Sequence, residues 1–248
     1  MIIAIAVQKG GTGKTTTAAI LAQAAAHKGL RPLAIDLDPQ GNLSIALGAR
    51  MDTGNSYNML QGAPSADQIQ RTGQGIEAIA ASWNLSTITS GPGSARRLQE
   101  ALDPIRGVYD MIIIDTPPTA GELQYNALQA ADRLIIPLQA DTYNVQSLYQ
   151  ITDTARQIMQ SNAALQIAGI ILTQYDGRTT IARQMQRAII NTAGAAGVPY
   201  LGTIRAAVAV KEAAALRKSL YEYAPRSKPA ADYMDVFNYL TNYKYLTI

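Results

Sequence analysis

Cysteine is absent from all 248 residues, which removes disulfide scaffolds, thiolate-bound zinc, iron–sulfur clusters and thiol nucleophiles from consideration. One histidine, His27, leaves no zinc site built from several imidazoles; late in a helix its cation would suit the negative dipole end, and no catalytic role is assigned to it. Tryptophan and phenylalanine occur once each, as Trp83 and Phe237, and both are expected to serve packing. No run approaches the ~18 apolar residues of a membrane span. The opening MIIAIAVQKGG lacks a basic n-region, so a cytoplasmic protein is expected. Hydrophobic side chains make up 48% of the chain and charged ones 16%, enough to close a core without cross-links. Open α/β sheets of roughly 200–250 residues often form one domain, and one domain over 1–248 is expected.

Charge is unevenly spread. Residues 1–175 hold 11 Lys/Arg against 13 Asp/Glu, whereas 178–228 hold nine basic residues against only Glu212 and Glu222. A basic last third points to a polyanionic partner.

Short apolar runs at Ile2–Val7, Pro32–Ile35, Met111–Ile114, Leu134–Pro137 and Ile167–Leu172 read as strands buried on both faces of a parallel sheet. Helices are predicted at Thr15–Lys28, Ala95–Leu102, Glu122–Ala130, Val145–Gln160, Thr179–Ala193 and Val208–Lys218, with Gly29 as a C-cap. The alternation implies an α/β protein, a three-layer doubly wound, mostly parallel sheet. Residues 48–75, with five glycines, read as an irregular excursion containing short helices. Tyr233, Phe237 and Leu240 share a helical spacing that would pack a C-terminal helix against the domain.

The chemistry begins after the first strand, at Lys9-Gly10-Gly11-Thr12-Gly13-Lys14-Thr15-Thr16. Gln8 stands where the usual phosphate-loop pattern has its first glycine. The remaining glycines still let N–H groups face phosphate oxygens, and the helix that follows presents its positive end. Lys14 would reach the β- and γ-phosphates of a nucleotide, and the Thr15 hydroxyl would ligate Mg²⁺. Lys9 lies too early to duplicate Lys14 on the same nucleotide, so it could reach a second molecule; an ordinary surface lysine is the other reading. The second strand runs into Asp36-Leu37-Asp38-Pro39-Gln40-Gly41-Asn42. Two carboxylates at the C-terminal edge of a sheet can hold Mg²⁺ through water and position an attacking water, while Asp38 could equally cap a helix. Asp110-Met111-Ile112-Ile113-Ile114-Asp115-Thr116-Pro117-Pro118 has the form of a Walker B strand, with Asp115 toward the metal shell.

These three segments resemble the ParA/Soj/MinD family of deviant-Walker P-loop ATPases, whose motifs are K-G-G-x-G-K-T-T, D-x-D-P-Q-G-N and D-x-x-x-x-D-x-P-P. Ile136–Ala140, Thr173–Thr179 and Ala224–Lys228 look like the ParA/Soj branch. The resemblance implies ATP and Mg²⁺ as ligands, with Lys9, Lys14 and Asp38 catalytic. It implies that Lys9 crosses a sandwich dimer to the partner's ATP, that Asp38 orients the attacking water and that Asp36 supports the metal shell with Thr15, Asp38 and Asp115. Gly10, Gly11, Thr12, Gly13, Lys14, Thr15 and Thr16 would cradle phosphate, and Gln174 and Arg205 would also bind the nucleotide, the segment around Arg205 bordering the base. The chain departs from the family at Ala207, where relatives usually carry Asn.

The activity implied is a slow, partner-stimulated ATPase for DNA partition. It would be a homodimer when ATP-bound, would bind double-stranded DNA without sequence preference, and would be reset by a ParB-like centromere-binding protein. A nucleoid-associated location and no membrane partner are expected, as is the absence of a helix-turn-helix domain ahead of Lys9. Arg183 and Arg187, four apart on one helix, with Arg217, Lys218, Arg226 and Lys228, are the candidate DNA contacts. A MinD-like membrane-cycling ATPase would need a basic amphipathic C-terminus; after Lys228 only Lys244 is basic, opposed by Asp232 and Asp235. A P-loop tyrosine kinase is suggested by tyrosines 221, 223, 233, 239, 243 and 245, but Lys9 and the DPQGN string resemble partition ATPases.

Overall fold

In the first strand, β1 (Ile2–Ile5), alternate isoleucines point to opposite faces, yet all are excluded from water, so a layer must cover each side of the sheet. A computed structural model describes residues 1–62, 66–91, 93–141 and 144–242 and shows that arrangement. The elements follow as α1 (Lys14–His27), β2 (Pro32–Asp36), α2 (Asn42–Leu47), α3 (Ser56–Gln61), β3 (Gln70–Arg71), β4 (Glu77–Ile79), α4 (Arg97–Leu102), β5 (Met111–Asp115), α5 (Glu122–Ala130), β6 (Arg133–Leu138), α6 (Asn144–Met159), β7 (Gln166–Tyr175), α7 (Thr180–Ala195), β8 (Tyr200–Arg205), α8 (Val208–Ala215), α9 (Leu220–Tyr223) and α10 (Lys228–Asn242). Among the described residues the strands form one eight-stranded sheet in the order β3-β4-β2-β5-β1-β6-β7-β8, parallel except at β3–β4. This is a three-layer, doubly wound α/β fold.

One face of the sheet packs Ile3, Ile5, Ile113, Ile135 and Ile171 on α1 and α10. The other packs Ile2, Leu33, Ile112, Ile114 and Leu134 on α4, α5 and α6. Alanine makes α1 thin enough to lie close beneath the strands, and Ala18, Ala22, Ala24 and Ala25 are fully buried. The helix ends as expected at Gly29: with φ at +75°, its N–H bonds Ala26 O and that of Leu30 bonds Ala25 O, a Schellman closure. His27, in the last turn, stacks on Tyr221 with centroids 5.2 Å apart.

Three strands, β3, β4 and β8, lie outside the five apolar runs. β3 has only two residues and β8 is an edge strand of mixed polarity containing Gly202, while β4 is three residues long and its buried Ala78 and Ile79 follow a glutamate in an alanine-rich stretch that gives no β-branched run. The glycine-rich excursion contains α3, as expected. The C-terminal helix α10 also packs as its spacing predicts, with Tyr233, Phe237 and Leu240 buried. Tyr221 and Tyr233 are buried while Tyr223 and Tyr239 reach the surface; Tyr243, Lys244 and Tyr245 lie outside the described residues. Trp83 corrects its expectation: it opens a short 3₁₀ turn and is 65% exposed, packing against little.

Candidate nucleotide site

The turn after β1 bends twice through left-handed backbone, at Gly11 (φ +77°) and Gly13 (φ +84°). A side chain at Gly13 would be strained by that backbone, although its β-carbon would meet Thr173 only at an ordinary contact of 3.4 Å. Gly13 caps α1 without a side chain, so the first N–H groups of α1 are left for a ligand. The loop is pinned from two distant strand ends. Gln139, after β6, and Gln174, at the end of β7, both donate to Gly11 O, at 2.8 and 3.0 Å, while Thr173 Oγ1 donates to Thr12 O at 2.7 Å. Gln174 reaches the loop from a left-handed conformation, φ +52°, unusual for a residue with a β-carbon.

Lys14 is buried and turns back to donate to Lys9 O at 2.8 Å. Burial lowers its pKa, and Asp115 and Asp38 oppose that shift. Thr15 Oγ1 donates to Asp115 Oδ2 at 2.6 Å. Asp115 is wholly buried and its second oxygen, Oδ1, has no hydrogen-bond partner; burial first, and Asp36 second, push its pKa well above the usual carboxylate range. A buried orphan carboxylate oxygen beside a threonine hydroxyl suits a hard cation that takes oxygen ligands.

The two acids after β2 differ in their duties. Asp36 Oδ2 accepts from both Ser44 N and Ser44 Oγ, at 2.8 and 2.7 Å, and Oδ1 accepts from Asp38 N at 3.1 Å. Burial raises its pKa to about 6 even so. Both oxygens are thus engaged in fixing α2 and the loop after β2, at the position from which Asp36 is expected to support the metal shell. Asp38 does not cap a helix: α2 starts at Asn42 behind Gly41, and Asp38 Oδ1 accepts instead from Gln40 N, at 3.0 Å, in a tight turn. Asp38 faces a cavity of about 500 Å³ that it shares with Gly10 to Thr16, Pro118, Gln174 and Lys218. A second cavity of about 400 Å³ continues past Thr16 to Arg205, Ala206, Ala207 and Tyr233, the region where a base was expected. The Arg205 guanidinium lies there paired with Asp232. Lys9 is held by its own chain, its ammonium 2.8 Å from both oxygens of Asp141.

The six candidate DNA contacts lie on or next to α7, α8 and α10. Arg183, on α7, donates to Gly177 O at 2.7 Å, and Lys228, at the start of α10, shares an open depression with Arg178 and Arg205; Arg187 and Arg226 are exposed. Arg217 and Lys218 stand at the far end of α8, Arg217 with φ +52° and Lys218 on the wall of the first cavity. Sequence reasoning gave no role to Gln139, Thr173, Ser44 or Asp141. Gln139 and Thr173 carry a usable signal, a polar side chain at the carboxyl end of an apolar strand.

A family model described as an AAA domain matches residues 1–167. The chromosome-partitioning ATPase Soj of Thermus thermophilus is 36% identical over 233 residues, 93% of this chain and 91% of that protein. The sporulation initiation inhibitor protein Soj of Bacillus subtilis is 36% identical over 244 residues, 95% of this chain and 96% of that one. Among solved structures, a Mycobacterium smegmatis protein described as cobyrinic acid a,c-diamide synthase, with bound ATP analog and magnesium, superposes with a TM-score of 0.83 at 31% identity, over 98% of this chain and 95% of its own. The extent and identity of these matches place the chain in the Soj/ParA family of chromosome-partitioning ATPases.

Proposed function

We propose that the chain binds ATP with Mg²⁺, closes as a sandwich dimer, binds double-stranded DNA without sequence preference, and is reset when a ParB-like partner prompts hydrolysis. The observation that carries the nucleotide part is the meeting at one cavity of an anion-binding loop, Asp38 and Thr15, whose hydroxyl bonds the buried Asp115 with its orphan oxygen. The N–H groups of residues 10–16 take the phosphates, and Lys14 exchanges Lys9 O for a phosphate oxygen. Thr15 and Asp115, with Asp38 nearby, would hold Mg²⁺, which would offset phosphate charge. Among the described residues no cluster of three or more acids or imidazoles forms a cage of its own, in keeping with an ion that keeps water and phosphate as ligands. Asp38, with one oxygen bonded to Gln40 N, offers the other to the attacking water.

Lys9 completes the dimer by meeting the partner's phosphates, since two triphosphates face to face repel unless cations intervene. Arg183, Arg187, Arg226 and Lys228 supply the DNA contacts, doubled by dimerisation. The bound ATP analog and magnesium of the Mycobacterium smegmatis protein support the ligand pair. The Asp38→Ala variant tests the reading: it should bind ATP normally yet lose most turnover, the mark of a group that acts in the transition state. Hydrolysis at the wild-type rate would refute it.

A further inference from the structure

Two buried glutamines, Gln23 on α1 and Gln74 in the turn between β3 and β4, are 6% and 7% exposed and form a chain of amides with one direction. Leu220 N–H donates to Gln23 Oε1 at 3.0 Å, and Gln23 Nε2 donates to Gln74 Oε1 at 2.8 Å. Gln74 Nε2 then spends its two hydrogens on Ala46 O and Arg217 O, at 2.9 and 3.0 Å. A backbone donor at one end and two carbonyls at the other leave no freedom to flip, because reversing either amide would set oxygen against oxygen.

The chain closes around a strained turn. Arg217 N–H bonds Ala214 O and Lys218 N–H bonds Ala213 O, the helix end at which glycine usually supplies the left-handed residue. Here an arginine occupies it at φ +52°, a conformation that persists only where its surroundings enforce it. Gln74 holds the carbonyl before Lys218 and Gln23 holds the N–H two residues after it. The residue so fixed lines the same cavity as the phosphate loop, and its ammonium makes no hydrogen bond or ion pair among the described residues. Gln23 itself stands nine residues beyond Lys14, roughly 14 Å along the helix axis.

We infer that Gln23 and Gln74 are positioning residues that hold Lys218 as a nucleotide-facing cation at the far end of the phosphate cavity, in place of the DNA contact expected from its sequence. This rests on the reading of that cavity as the ATP site. Fluorescent-ATP titration of the full chain with Mg²⁺ tests it, with Lys14→Ala as the control that abolishes binding. Lys218→Gln should weaken ATP by about fivefold, the scale of a partly exposed charge pair, with an unchanged melting temperature, and Lys218→Arg should restore most of the affinity. Gln74→Glu, which keeps the shape but cannot donate to Arg217 O, should cost a similar factor. The double variant Gln74→Glu/Lys218→Gln should lose no more than either single one, because both act through one ammonium. Wild-type affinity in Lys218→Gln, or losses that multiply in the double variant, would overturn the assignment while leaving the ATP site intact. A wild-type chain that binds no ATP would remove both.

Discussion

Lys9 has one ammonium and, in the proposed cycle, two anions to serve. In the single chain it sits 2.8 Å from both oxygens of Asp141, and it cannot keep that contact while meeting the phosphates of a second subunit's nucleotide. Dimerisation would therefore break one such pair in each protomer. The side chains are 25% and 37% exposed, so each pair belongs near the surface range of about 0.2–1 kcal/mol. Two pairs then oppose closure by roughly 0.4–2 kcal/mol, a two- to thirtyfold factor in the dimer dissociation constant. Asp141→Asn is the clean perturbation, because its amide oxygen can still accept from Asn144 N–H at the start of α6, a bond of 3.2 Å to Oδ1. Sedimentation velocity with ATP, in an Asp38→Ala background that prevents turnover, should show dimer at a lower protein concentration for Asp141→Asn. An unchanged or weaker dimer would refute either the exclusion argument or the trans role of Lys9.

Tyr233 OH lies 3.1 Å from Thr17 Oγ1, both groups buried. Tyr233→Phe orphans the threonine at about 1–3 kcal/mol, which should lower the melting temperature by about 2–4 °C per kcal/mol; adding Thr17→Val should recover most of the loss. Burial also pushes the Tyr233 phenol up to about 12, so the folded chain keeps a proton that the unfolded chain releases near pH 10. Stability is then complete below pH 10 and falls as pH climbs toward 12, by about 3 kcal/mol from this group, and denaturant titrations across that range should show a shallower decline in Tyr233→Phe. For DNA, removing Arg226 and Lys228 should reduce the slope of log affinity against log salt by about 0.9 per lost phosphate contact, and weaken binding equally for unrelated sequences in a filter assay.

The central strands were legible because burial on both faces leaves an uninterrupted apolar run, as in Met111–Ile114. The glycine loop, Asp38 and Asp115 stood out because the chemistry expected of them needs particular residue types at particular offsets, and the structure sets the loop and Asp38 on one cavity with Asp115 bonded to Thr15. Asp36 was only half legible: its position at a strand end suggested metal, but its contacts with Ser44 depend on where α2 turns back, which its residue type does not encode. Asp141 was invisible for the same reason, being 132 residues from Lys9. Trp83 misled because bulk predicts burial only on average. Among the basic residues of the last third, Lys218 lines the phosphate cavity whereas Arg178, Arg205 and Lys228 share a separate depression, a division that counting charges along the chain does not reveal.

The carbonyl of Gly11 is gripped by Gln139 and Gln174, and that of Thr12 by Thr173, partners 128, 163 and 161 residues downstream. The chain's tenth part is thus shaped by its second half. A nascent N-terminal segment carries the glycine loop and the Lys14–Lys9 bond within it but lacks these three distant anchors, so nucleotide should not rescue a truncated product that stops before β7. Contacts of such separation also make for slow folding. A ligand site completed only once β6 and β7 are seated predicts that added nucleotide should slow global unfolding while leaving the rate of refolding unaltered.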